Sequence, residues 1–118
     1  LGAVEVINVK PGRVGGYLEA RRIHDLGVER GVPVWCGGML ETGIGRAANA
    51  ALASLPGFTL PGDISAARRF YARDIVTNPI EVVDGHVAVP TGPGLGFDLD
   101  HDHLATVTTR THPLDLSA

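Results

Sequence analysis

A chain of 118 residues, of which 44% are hydrophobic and 19% charged, has the size and composition of one globular domain rather than of a disordered or fibrous segment. A formal net charge of -3, with no basic block and no stripe of interleaved aromatic and basic residues, argues against a nucleic acid or an anionic membrane surface as the main partner. The single cysteine, Cys36, can form no internal disulfide, and without a signal-peptide pattern or an 18-residue apolar run the expected setting is a reducing cytoplasm.

Val4–Val9 is rich in β-branched residues and reads as a strand that ends on Lys10, the only lysine, the other nine of ten basic side chains being arginine. Gly12, Gly15 and Gly16 then supply a turn into a helix over Tyr17–Gly27, whose buried face is marked by Ala20, Ile23 and Gly27 with Leu26 beside them. Pro33–Cys36 is a second short strand, followed by Gly37 and Gly38. Ile44, Ala47, Ala48, Ala51 and Leu55 fall at i, i+3, i+4, i+7 and i+11, which predicts a second helix whose small alanines permit close packing on a sheet. Pro56-Gly57 ends it, Phe58–Leu60 is a third strand, and Ile64–Ala72 a short third helix.

Strand and helix therefore alternate, with Val6, Val34 and Thr59 spaced 28 and 25 residues apart. That order requires parallel strands, right-handed crossovers and helices covering the sheet. After Asp74 the rhythm changes: Ile80–Val83, Asp84-Gly85 and His86–Val89 spell a hairpin with a type I′ turn. Pro90–Gly96 is a loop, and the remainder reads as a polar tail with weak strand content. Three βα units cannot close an eight-stranded barrel, and an open three-stranded parallel sheet leaves both edges bare. With no methionine before Met39, the chain is expected to be cut from something longer.

Lys10 stands at the C-terminal end of its strand, where α/β folds gather catalytic groups. An ammonium held among apolar strands has its pKa lowered by desolvation and can then take a proton from a carbon acid; the alternative is a lysine that snorkels into water. Glu41 and Asp63 follow the second and third strands onto the same rim, where a carboxylate can bind metal, hold a ligand, or cap a helix, the last being the commoner role. Gly43-Ile-Gly45-Arg-Ala-Ala48 imitates a dinucleotide fingerprint, with Asp63 about 20 residues on, but its glycines lie too far behind the strand. Asp98-Leu-Asp-His-Asp-His103 lacks the i, i+4 histidine spacing of a helical zinc site and reads as solvated tail. Cys36 and Trp35 lie in an apolar strand and read as buried core, the thiol structural rather than nucleophilic.

Three stretches in order, Asn8-Val-Lys-Pro-Gly-Arg-Val-Gly-Gly16, Trp35-Cys-Gly-Gly-Met-Leu-Glu-Thr-Gly-Ile-Gly-Arg-Ala-Ala-Asn49 and Leu60-Pro-Gly-Asp63, resemble the o-succinylbenzoate synthase and N-acylamino acid racemase family of the enolase superfamily. The resemblance runs from about Val4 to Gly96. It implies an α/β fold, the C-terminal part of a (β/α)8 TIM-like barrel, with three βα units in residues 1–73. Residues 74–118 would then give a β-hairpin contribution to a capping domain, and a tail. Lys10 then resembles the second lysine of a pair facing the substrate α-carbon, which moves the α-proton in racemisation and stabilises the enediolate in o-succinylbenzoate formation, a step of menaquinone biosynthesis. Gly38, Met39 and Leu40 resemble the segment beside the substrate carboxyl and acyl groups, and Phe70 a side chain bordering the acyl pocket. The resemblance further implies Mg²⁺ or Mn²⁺ in the intact parent, with no metal ligand in this chain, a small-molecule carboxylate substrate, and a homo-oligomer without nucleic-acid or membrane partners. The isolated chain is expected to be inactive and to aggregate. A dipeptide epimerase or cycloisomerase of the same superfamily, and a non-catalytic truncated binding module, are the alternatives.

Overall fold

The structure, a computed structural model, describes residues 2–114. Its centre is a pair of parallel strands, β1 (Ile7–Val9) and β2 (Val34–Cys36), in the register Ile7↔Val34, Asn8↔Trp35 and Val9↔Cys36. The two-residue alternation of a strand sends Ile7, Val9, Val34 and Cys36 to the face covered by helices, and Asn8 and Trp35 to the other. Val9, Val34 and Cys36 are buried, whereas Asn8 is exposed and Trp35 half-buried. Trp35 therefore lies on the helix-free face and is not the core residue that its apolar strand led us to expect. Val4 and Val6 are likewise outside the strand and exposed.

A one-turn helix, α1 (Pro11–Val14), follows β1, with Pro11 presetting its first φ and Gly15 ending it at φ 98°. Helix α2 (Tyr17–Arg30) then runs back across the sheet and stops at Gly31, φ 63°. Its buried stripe is Ala20, His24 and Gly27. Ile23 is half-buried as expected, but Leu26 is half exposed, and His24 takes the inner position with its ring 4.7 Å from that of Phe58. The stripe is fixed by Gly27: a Cβ there would stand 2.6 Å from Val34 Cγ1, so the helix touches β2 at this residue.

Helix α3 (Gly43–Ala53) buries Gly43, Arg46, Ala47 and Ala50 at i, i+3, i+4 and i+7, with Asn49 and Leu52. Of the expected apolar stripe only Ala47 is buried; Ala48 and Leu55 are half-buried, and Ile44 and Ala51 exposed. The face is turned by one residue because Arg46 and Asn49 point inward to hydrogen-bond partners, which a count of apolar positions scores as surface. The third strand is reduced to parallel bridges Val34↔Phe58 and Gly37↔Asp63, since Pro61 between them has no N–H to give. The third helix is a single 3₁₀ turn, Ala67–Arg69. Helix cannot start earlier, because the Ser65 carbonyl accepts from Arg46 Nη1 at 2.5 Å and the Ala67 N–H donates to Ile80 O at 3.2 Å.

The hairpin forms as read, though shorter: β3 (Val82–Val83) pairs with β4 (His86–Val87), and Asp84 and Gly85 take φ 49° and 77°, the positive pair of a type I′ turn. Ile80 seats this segment on α3 against Ala47 and Ala50, with Val87 and Phe97 packed around them. The tail departs from expectation. Its strand content is one antiparallel bridge, Val76↔Leu99, and beyond it lies α4 (His101–Val107). Asp100 caps that helix by accepting from the His103 N–H at 3.0 Å and pairs with Arg73; both interactions hold its carboxyl below the usual range. Among the described residues no helix is long and apolar enough to cross a membrane.

The Gly27 contact makes a definite prediction, because alanine would gain about 1 kcal/mol of helix propensity but drive a methyl into the fully buried Val34. Overpacking of this kind costs about 1–3 kcal/mol. Gly27→Ala, in a polypeptide long enough to cover the open face of the sheet, is expected to lower the denaturant midpoint; a raised midpoint would show that α2 does not touch β2.

Candidate active site at the strand ends

Three chain segments arrive side by side at the C-terminal end of the sheet. Lys10 follows β1 in an extended conformation, φ -119° and ψ 109°, which carries its side chain onto the helix-free face. There it crosses Gly37: a Cβ at Gly37 would lie 2.7 Å from Lys10 Cε and 2.9 Å from Cγ, and would meet Asn8 Oδ1 as well. The half-buried ammonium donates to the Gly38 carbonyl at 2.9 Å. Gly38 in turn lies flush against the Asp63 carbonyl, with no room for a side chain, while the Asp63 N–H bonds to Cys36 O at 3.0 Å. The glycine pair thus closes the distance between the lysine and the third segment.

Beyond Gly38 the loop to α3 is held by three side chains. The Met39 N–H donates to Glu41 Oε2 at 2.7 Å, and the Leu40 carbonyl accepts from the Tyr71 hydroxyl. The Gly43 N–H, at the start of α3, donates to Asp74 Oδ1 at 2.9 Å. Held in this way, Gly38, Met39 and Leu40 face Asp63, Ser65, Arg69 and Phe70 across a cavity of about 230 Å³. The expected residues 38–40, Asp63 and Phe70 therefore meet around one space, with Lys10 at its edge through the Gly38 carbonyl. The ring of Phe70 is flanked by the guanidinium groups of Arg46 and Arg69, 5.1 Å and 5.8 Å from its centroid.

Glu41 does not line this space; both of its oxygens accept from the protein, the second from Asn49 Nδ2 at 3.2 Å. The Gly43–Ala48 stretch opens a helix, but its N-terminus already holds the Asp74 carboxylate, which leaves no berth for a phosphate there. The Asp100 carboxylate is spent on the cap of α4, where it accepts from the His103 backbone N–H, and the His103 ring Nδ1 lies 3.3 Å from Thr106 Oγ1. Among the described residues no three His, Cys, Asp or Glu side chains converge as a metal would need, so the described residues do not fit a resident ion. Four contributors went unread in the sequence: Tyr17, Asn49, Tyr71 and Asp74. Tyr17 and Asn49 looked like ordinary helix positions, Tyr71 lay near the end of the expected third helix, and Asp74 marked only the place where the strand–helix rhythm changes. Arg46, inside the Gly43–Ala48 stretch, is 1% exposed, and the only described hydrogen-bond partner of its guanidinium is Ser65.

Parallel strands with helices on one face, and a lysine and a glycine-rich loop meeting at the strand ends, are the features of a barrel-type α/β enzyme domain. Residues 1–103 match the family model described as enolase C-terminal domain-like, and the chain belongs to that family. It is 65% identical over 109 residues to an N-succinylamino acid racemase of Amycolatopsis sp, a match covering 92% of this chain and 29% of the relative. It is 54% identical over 108 residues to an o-succinylbenzoate synthase of Geobacillus kaustophilus, covering 92% of this chain and 29% of that one. A crystal structure of an enolase-superfamily member from Listeria innocua superposes with a TM-score of 0.85 at 48% identity, covering 89% of this chain and 28% of the other. The chain thus spans under a third of the length of the relatives it matches.

Cys36, 1% exposed beneath the site, is the buried structural thiol the strand context predicts: burial, then the Glu41 charge, pushes its pKa up to about 11. The folded state therefore holds this proton more tightly than the unfolded one. The stability that follows is full below about pH 9 and lost as pH rises towards 11. At pH 8 the native thiol is expected to react with a disulfide reagent at least ~100-fold more slowly than after unfolding, the ratio of thiolate populations set by that shift. Equal rates would contradict the burial.

Proposed function

We propose that this chain forms the C-terminal part of an enzyme that acts at a carbon next to a carboxylate, as an o-succinylbenzoate synthase, an N-succinylamino acid racemase or both. The observation that carries this reading is Lys10, the sole lysine, directed by Gly37 and Gly38 to the edge of the cavity that Met39, Leu40 and Phe70 line. The names of the relatives support the reaction class. In this reading residues 1–73 contribute the last units of a barrel and residues 74–118 cover its rim. The full-length enzyme works in the cytoplasm, as a homo-oligomer, on small carboxylate substrates.

The chemistry follows from an amine in such a place. A neutral Lys10 takes the α-proton onto Nζ from one face, and an acid on the opposite face protonates the enediolate there, so that the configuration inverts; in the reverse direction the Lys10 ammonium delivers the proton. As an ammonium throughout, Lys10 instead stabilises the negative charge that develops on the carboxylate when another base removes the proton. The Gly38 carbonyl holds Nζ in place for either role. Met39, Leu40 and Phe70, all partly exposed, offer the acyl group an apolar bed. A divalent Mg²⁺ or Mn²⁺, which would make the α-proton more acidic, belongs in this proposal to segments of the full-length enzyme outside these residues.

Lys10→Met in the full-length enzyme is expected to lower kcat by about 10²–10⁴-fold while KM changes little, as for loss of one acid-base group. Stereospecific α-proton exchange monitored by NMR checks it, and unchanged exchange with both enantiomers would make Lys10 a rim charge of a binding module. The isolated chain, given Mg²⁺ and either substrate, is expected to show no turnover; measurable turnover would contradict the assignment of the remaining chemistry to other segments.

A further inference from the structure

The Met39–Leu40 bed does not hold itself. Its backbone polar groups are taken up by a relay that starts on a different structural unit. Tyr17, at the start of α2, donates its hydroxyl to Asn49 Oδ1 on α3 at 2.9 Å; Asn49 Nδ2 donates to Glu41 Oε1 at 3.2 Å; and Glu41 Oε2 accepts from the Met39 N–H at 2.7 Å. Asn49 is 2% exposed. Gly45 belongs to the same device, because a Cβ there would stand 2.8 Å from Glu41 Cβ, so only glycine lets the carboxylate fold back onto α3. Burial, the Glu41 carboxylate and Cys36 raise the Tyr17 pKa, which keeps the phenol a donor at neutral pH.

We propose that Glu41 is a positioning residue for substrate recognition: with Asn49 and Tyr17 it fixes the Met39–Leu40 loop so that the acyl chain meets two apolar side chains and neither the Met39 amide nor the Leu40 carbonyl. The Met39 amide is consumed by Glu41 and the Leu40 carbonyl by Tyr71. The Met39 and Leu40 side chains line the cavity, 40% and 67% exposed. This suits the methylene chain of an acyl group and gives Glu41 no oxygen for a substrate's ammonium, unlike a carboxylate that reads the amino end of a dipeptide. The inference rests on the proposed function for its substrate, but the loop geometry stands apart from it.

The chemistry of amides supplies a discriminating variant. In Glu41→Gln the new Oε1 still accepts from the Met39 N–H, and its Nε2 donates to Asn49 Oδ1 once Asn49 turns its amide over. Asn49 Nδ2 then donates to the Tyr17 oxygen, and the Tyr17 hydroxyl keeps its second acceptor, Gly45 O at 3.3 Å. In Glu41→Ala no such rearrangement exists.

The experiment is done on the full-length enzyme with an N-succinylamino acid as substrate and with amide hydrogen exchange of the free protein. Glu41→Ala is expected to speed exchange in the Met39–Thr42 segment about tenfold and to raise KM about tenfold, with kcat within about threefold. Glu41→Gln is expected to recover most of both losses. Tyr17→Phe, which leaves the loop sequence intact and serves if Glu41→Ala does not fold, is expected to show the same changes at about threefold. Glu41→Gln as damaging to KM as Glu41→Ala, with exchange unaltered, would mean that the carboxylate charge touches the substrate and would overturn the proposal. So would unchanged exchange in both Glu41→Ala and Tyr17→Phe. A native enzyme inactive on the substrate but with the expected exchange pattern would instead fail the functional reading and leave the relay standing.

Discussion

The whole arrangement hangs on a close approach that two missing side chains permit. Lys10 lies in the volume a Cβ of Gly37 would fill, and Gly38 abuts the carbonyl of Asp63 where a Cβ would collide. A side chain at either position would push the lysine or the third segment away from the second strand, and the cavity would lose an edge. The hydrogen bond from Lys10 to Gly38 O then sets the height of the ammonium above the sheet. An amine so anchored loses little freedom when a substrate arrives, which is what orientation contributes to rate.

The rest of the molecule keeps that approach in register. Helix α2 is pressed to β2 at Gly27, and α3 to the segment after β4 through Ala47, Ala50 and Ile80. The segment from Tyr71 to Asp74 is not a passive cover. Asp74 caps α3 from outside by accepting the Gly43 N–H, and Tyr71 holds the Leu40 carbonyl, so the two ends of the cavity-facing loop are tied to residues that come some thirty positions later.

Much of this was legible from residue types. Lys10 at a strand end and the glycine pair were visible in this way, the type I′ turn was written in Asp84-Gly85, and residues 38–40 and Phe70 entered only through the family resemblance. What stayed hidden shares one physical cause: polar groups that serve buried partners look like surface in a count of hydrophobic positions. Arg46 and Asn49 turned the face of α3 by one residue, His24 displaced Leu26, and Glu41 looked like a rim carboxylate although both oxygens are engaged inside the protein. The third helix failed for a related reason, its first backbone groups being bonded to Arg46 and Ile80 before a helical turn can use them. The last helix was missed because its cap, Asp100, stood in a run of aspartates and histidines that drew attention as a metal pattern.

The central claim is that Lys10 and the Met39–Leu40 bed are two walls of one substrate site. The most direct test is a crystal structure of the full-length enzyme with an N-succinylamino acid bound. The account predicts the substrate α-carbon within about 3–3.5 Å of Lys10 Nζ, the near-attack range, with the acyl chain lying over Met39, Leu40 and Phe70. An α-carbon beyond the reach of Lys10, or an acyl chain seated away from these three side chains, would contradict it.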